Sequence, residues 1–255
     1  MIDVFSIVLL AFVLELIDNG LGGGFGTILS PVLILFGYSP LVVVPAILLS
    51  ETVSGLWGGG WHAKYKNVDY RMVGLTLVGA VCGMLAASVL LGAYLPATYV
   101  KWYISIVAIG MGIFVVIRSY RKLSINPDKK YSKPLTIGLG LLTGFNKGGT
   151  GGGYGPLSVS GYMCLGMSAA VAIGTTTVAE GIAAVVGVGY HLATLNDFIY
   201  LAIPLAFGAA IADPIGSYIN NRLKISLEPP FHGRLIGVAM LGLGTLTIVK
   251  LLGWM

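Results

Sequence analysis

The stretch Asp18-Asn19-Gly20-Leu21-Gly22-Gly23-Gly24-Phe25-Gly26 returns past the middle of the chain as Lys147-Gly148-Gly149-Thr150-Gly151-Gly152-Gly153-Tyr154-Gly155. Each copy interrupts an apolar region, separating runs 2–17 and 25–36 in the first case and 135–145 and 154–165 in the second. These pieces are short of the ~20 apolar residues that span a bilayer. They read as glycine-broken half-spans, and such pairs at corresponding positions of two halves point to a transporter's binding site. Sliding the chain by 129 residues keeps the match going without a gap through Gly37/Gly166, Glu51/Glu180, His62/His191, Asn67/Asn196, Gly79/Gly208 and Ser88/Ser217. Glycines alone prove little in so glycine-rich a chain. Two of the three histidines and two of the four glutamates coincide at that one offset, which establishes a duplication.

Around the two breaks lie six longer apolar runs, at 41–61, 73–93, 99–117, 169–190, 198–219 and 235–252. The 255 residues are 56% hydrophobic and only 10% charged, against about 25% charged in soluble domains. The chain is therefore a polytopic membrane protein, and disorder and nucleic-acid binding are excluded. Cys82 and Cys164 sit in apolar segments and read as small core hydrophobes rather than a disulfide framework. The run 2–17 lacks a basic flank and is not expected to be a signal peptide.

Loop charges set the orientation of the copies. After the first long span come Lys64, Lys66 and Arg71; the equivalent loop of the second copy, 192–196, has no base. The next loop reverses the bias, with 93–100 free of bases and 220–234 holding Arg222, Lys224 and Arg234. The central segment adds Arg118, Arg121, Lys122, Lys129, Lys130 and Lys133, so these three regions carry twelve of the fifteen bases. Basic loops stay in the cytoplasm, which predicts inverted copies with both termini outside. The expected fold is an all-α polytopic membrane protein of two inverted-topology repeats. Each repeat has a Gly-broken pair of half-spans plus three full transmembrane helices. Residues 1–118 form the first repeat, 119–134 a basic cytoplasmic linker and 135–255 the second repeat.

The motif Gly22-Gly23-Gly24-Phe25-Gly26 with Pro31 after it, its second copy, the loop His62…Asn67-Val68-Asp69 and the basic linker together resemble the TauE/SafE family over essentially the whole chain. The resemblance implies a secondary carrier of small sulfur-containing anions, such as sulfite or sulfonates, with no nucleotide-hydrolysing subunit.

The residues point to chemistry of their own. A glycine-rich break at membrane depth frees backbone N–H groups that must line a cavity or be buried. The helices starting at Phe25 and Tyr154 present positive N-terminal ends there. The amides of Gly22, Gly23, Gly24, Gly151, Gly152 and Gly153 can wrap an anion; the competing reading is close helix packing. A P-loop is not supported, because Gly153 is followed by Tyr154-Gly155 rather than Lys-Ser/Thr. Lys147 either supplies a point charge to the anion, snorkels at an interface, or pairs with Asp18, its counterpart in the repeat. Asn19, Asn146 and Thr150 are nearby hydrogen-bond donors. Glu51 and Glu180 lie about ten residues into their spans, where ionisable groups are costly and functional by default. They are the candidates for proton coupling, with neutral helix glue as the alternative. Ser50, Thr175, Thr176 and Thr177 add hydroxyls. His62 and His191, at the ends of those spans, read as interfacial capping or hydrogen-bonding groups, with proton handover as the alternative. Asp213, before Pro214 in mid-span, lines the cavity or bonds locally.

A secondary transporter of a small anion, with proton coupling, is the leading function, in a cell membrane and with lipid as the solvent. An ion channel on the same scaffold and a carrier of a small carboxylate are the alternatives. No nucleophile–base pair, metal-ligand spacing or cofactor fingerprint supports an enzyme, and neither metal nor cofactor is expected. The spacing says nothing of oligomeric state.

Overall fold

The computed structural model describes residues 3–120, 132–194, 197–223 and 230–254. Among them run ten α-helices: α1 (Val4–Leu21), α2 (Phe25–Leu35), α3 (Pro40–Lys64), α4 (Tyr70–Val89), α5 (Ala97–Ser119), α6 (Lys133–Thr150), α7 (Tyr154–Cys164), α8 (Ala169–Thr194), α9 (Ile199–Leu223) and α10 (Pro230–Leu251). A π-helical turn, Leu90–Tyr94, extends α4. Seven helices among the described residues are long and apolar enough to cross a membrane. The protein is all-helical and multi-pass.

The 129-residue offset reappears in the backbone: α1 moved by it coincides with α6, α2 with α7 and α3 with α8. The packing follows the same exchange. α1 lies along α9 while its counterpart α6 lies along α4, and α3 crosses α8. The α4–α6 contact is close because glycines line both sides. A Cβ on Gly140 or Gly144 would collide with the backbone of Thr76 or Ala80, the small-residue packing that membrane helices rely on. Arg121, Lys122, Lys129 and Lys130 of the basic linker, Asn196 and Lys224 lie outside the described residues.

The half-span expectation needs correction. α1 does not stop before Asp18 but runs 18 residues to Leu21, long enough to count as a span. α6 likewise carries Asn146, Lys147, Gly148, Gly149 and Thr150 in its last turns. The helices end where a glycine adopts a left-handed conformation, Gly22 at φ 72° and Gly151 at φ 72°. Only glycine does this cheaply, and each closes a helix-ending hydrogen bond, to the carbonyls of Asp18 and Lys147. The breaks are thus three glycines each, between an 18-residue helix and an 11-residue one. Cys82 and Cys164 are exposed rather than in the core.

Candidate functional site

The two breaks touch. A Cβ on Gly26 would fall onto the carbonyl of Gly151, and one on Gly152 would lie 2.5 Å from the Thr27 nitrogen and 2.6 Å from the Gly26 carbonyl carbon. Across this crossing Gly153 N–H donates to Thr27 Oγ1 (2.7 Å), and Ser30 Oγ donates to the Thr150 carbonyl (2.5 Å). Gly26 and Gly152 therefore serve close backbone packing.

Of the amides expected to face an anion, those of Gly22, Gly24, Gly151, Gly152 and Gly153 already have protein partners. Asp18 folds back from the end of α1, and its carboxylate accepts from Gly24 N–H (2.6 Å) and Phe25 N–H (2.9 Å). It satisfies orphan donors at the positive end of α2. Gly152 N–H donates to Thr150 Oγ1 (3.0 Å), whose hydroxyl lies 2.7 Å from the Asn146 carbonyl. Asn146 Oδ1 accepts from Tyr103 Oη (2.8 Å). Thr150, Gly151–Gly153 and the side-chain oxygen of Asn146 are thus spent locally. Asp18 caps α2 where its repeat counterpart, Lys147, cannot cap α7; Thr27 of the first repeat does that work instead.

Lys147 neither snorkels nor pairs with Asp18. It is fully buried, and its ammonium bridges the two matched glutamates, meeting Glu51 Oε2 and, at 2.7 Å, Glu180 Oε1. Three helices deliver these groups: α3 brings Glu51, α8 brings Glu180 and α6 brings Lys147. Gly55 and Gly181, where α3 and α8 cross backbone to backbone, let the two glutamate-bearing helices approach.

Beside this bridge lies a small cavity lined by Glu15, Asp18, Asn19, Gly22, Glu51, Ser54, Thr176, Thr177 and Glu180 among others. Asp18, Asn19, Gly22 and Thr176 of the sequence-derived candidates thus join the two glutamates. Thr176 Oγ1 is buried with no hydrogen-bond partner among the described residues. Gly23, Gly24, Asn146, Lys147, Thr150, Gly151, Gly152, Gly153, His62 and His191 do not line this cavity.

His62 and His191 are buried rather than interfacial. His62 Nε2 is 2.6 Å from Asn19 Oδ1. Neither ring nitrogen of His191 finds a hydrogen-bond partner among the described residues, so a capping role does not fit it. Asp213 accepts from Asn19 Nδ2 (2.9 Å) and lies 2.9 Å from Ser54 Oγ. Glu15, also on this cavity, escaped the sequence reading because its run looked too short to span. It is the one charged residue between Val4 and Ile17, and an ionisable group in an apolar helix is the signal that marks it.

A family model described as sulfite exporter TauE/SafE matches residues 7–250. The chain is 30% identical over 236 residues to "Probable membrane transporter protein YtnM" of Bacillus subtilis (strain 168), covering 89% of this chain and 75% of that protein. It is 25% identical over 233 residues to "Probable membrane transporter protein YjnA" of the same organism, covering 86% and 91%. No solved structure matches the chain. A duplicated helical scaffold with seven candidate spans, a buried charge cluster drawn from both repeats, and a match over nearly its full length make this chain a member of the TauE/SafE family of membrane transporters.

Proposed function

We propose that the protein is a secondary carrier of a small sulfur-containing anion, of the sulfite or sulfonate class, and that protons on Glu51 and Glu180 decide whether Lys147 is free to hold it. The observation that carries this reading is the burial of one ammonium between two carboxylates from matched positions of the two repeats.

Three buried ionisable groups form the switch. With both glutamates ionised the cluster carries one net negative charge, and an anion entering the cavity meets repulsion. One proton brings the cluster to neutrality; a second leaves the ammonium uncompensated. An anion can then replace the carboxylates as its partner, with the unpartnered Thr176 hydroxyl as a further donor. Charge pairing in a site of low polarity is strong, so the exchange of partners is sharply favoured only when the protons arrive. Proton and anion then travel in the same direction. In the same proposal the glycine breaks serve the anion only once Asp18 and Thr27 release the amides they hold. The two repeats lie inverted in the membrane, with the basic linker cytoplasmic and both termini outside.

The test is transport in proteoliposomes, using whichever of sulfite, thiosulfate, sulfonates, sulfate and short carboxylates stabilises the purified protein most. Glu51→Gln and Glu180→Gln are expected to lose transport driven by a pH gradient while keeping counterflow exchange. Lys147→Gln is expected to weaken a dianion more than a monoanion. Unchanged pH dependence in both glutamate variants overturns the coupling, and unchanged affinity in Lys147→Gln overturns the site.

A further inference from the structure

A second cluster of buried acids lies beside the lysine bridge without touching it. Glu15 of α1 and Asp213 of α9 are 4% and 0% exposed. Both face one hydroxyl: Ser54 Oγ lies 2.6 Å from Glu15 Oε1 and 2.9 Å from Asp213 Oδ1. The outer oxygens, Glu15 Oε2 and Asp213 Oδ2, are buried with no hydrogen-bond partner among the described residues.

Counting hydrogens decides the protonation. A serine hydroxyl has one hydrogen to donate, and an ionised carboxylate has none. Two ionised carboxylates on one hydroxyl leave one contact without a hydrogen, and two buried negative charges side by side. Asp213 Oδ1 is also the acceptor for Asn19 Nδ2 at 2.9 Å, and Asn19 Nδ2 reaches the Asp213 carbonyl at 3.1 Å and Ser217 Oγ at 3.2 Å. That orientation turns Asn19 Oδ1 toward His62 Nε2, which must then carry a hydrogen. Two arrangements use every hydrogen once, and they differ in where the charge rests: on Glu15 it has Ser54 as its one donor, on Asp213 it has both Ser54 and Asn19, which favours the second. In the second, Glu15 is the acid and donates to Ser54, Ser54 donates to Asp213, and Asn19 donates to the same carboxylate.

We infer that Glu15 and Asp213 form a second proton-binding site, in which one proton, resident on Glu15, is held through Ser54 against an Asp213 carboxylate that Asn19 and His62 keep in place. The ligand is a proton, and the site is separate from Lys147. The groups facing it are Asp18 on its own helix, Ser54, Glu51 and His62 from α3, Glu180 from α8 and Asp213 from α9. Lys147, from α6, is engaged by Glu51 and Glu180 and leaves the pair without a cation. The repeat counterparts of Glu15, Ser54 and Asp213 are Gly144, Ala183 and Met84, none of which titrates. The proton is therefore held in one half of the pseudo-symmetric molecule and has no equivalent in the other.

Infrared spectroscopy of the full chain in liposomes at neutral pH reads the proton directly, through the C=O stretch of a protonated carboxyl, and needs no substrate or transport. The wild-type protein is expected to show that band. Glu15→Gln, whose amide can donate to Ser54 as the acid did, is expected to lose it. Ser54→Ala is expected to shift it, because the acid loses its acceptor. The double variant Glu51→Gln with Glu180→Gln is expected to keep it, which separates this site from the lysine bridge and covers the case that Glu15→Gln does not fold. A band that survives in Glu15→Gln overturns the assignment. So does a band absent from the double variant, and so does stabilisation by sodium in a protein with no acid band, which makes the pair a metal-cation site instead.

Discussion

Replacing Lys147 by methionine keeps an unbranched side chain, one atom shorter, and removes the charge that separates Glu51 from Glu180. At the 2.7 Å separation of its ammonium from Glu180, attraction at an effective dielectric near 20 is about 6 kcal/mol, much of it offset by the desolvation of the ions. The removal of one partner exposes the asymmetry of that balance. Two carboxylates stay behind with no other cation paired to them among the described residues, and a buried charge that loses its partner typically costs about 3–5 kcal/mol. Lys147→Met is therefore expected to lose about that much stability in reversible unfolding from mixed micelles. The triple variant Lys147→Met, Glu51→Gln, Glu180→Gln removes every charge of the bridge and is expected to recover to within about 2 kcal/mol of wild type, since neutral replacements of buried ion clusters are often tolerated. The comparison isolates coupling from volume, because the methionine is common to both. A single variant as stable as wild type, or a triple variant no better than the single one, refutes the bridge.

Gly152→Ala forces a methyl onto the backbone of Gly26 and Thr27 and is expected to cost about 1–3 kcal/mol, whereas Gly189, with nothing within 4 Å of an added Cβ, should accept alanine with no loss in the same unfolding assay. Asp18→Ala strips the start of α2 of both its acceptors and is expected to cost about 1–2 kcal/mol, of which Asp18→Asn, with one acceptor oxygen for two N–H donors, should restore only a part; equal loss in both variants contradicts the cap. A cysteine at Lys66, exposed in the loop after α3, should react with an impermeant maleimide only from the cytoplasm, and one at Thr194, at the end of α8, only from outside. Reaction of both from one side refutes inversion.

Much of this was legible in the residues themselves. The offset that pairs His62 with His191 and Glu51 with Glu180 also superposes the bounds of α1 and α6, because duplicated chains keep their helix starts and stops. The bridge was not legible. Glu51, Lys147 and Glu180 belong to three helices, and their meeting depends on how those helices cross rather than on any spacing along the chain. The ends of α1 and α6 were misjudged for a local reason: Asp18-Asn19-Gly20 and Asn146 to Thr150 have the composition of a turn, yet packing holds them helical, since propensity is a weak prior. Glu15 fell with that misjudgement.

The pairing of α1 with α9 has a consequence in time. Leaving the ribosome, α1 precedes its partner by nearly the whole chain: Leu21 ends one helix and Ile199 begins the other. At about 5–20 residues per second of synthesis, that interval is on the order of tens of seconds. Throughout it, Glu15 and Asn19 lie in a helix whose neighbours Asp213 and Ser217 do not yet exist, and isolated polar groups are poorly tolerated in lipid. The polar centre cannot close before α9 is made, so a chain interrupted before α9 keeps Glu15 and Asn19 in the bilayer without these partners.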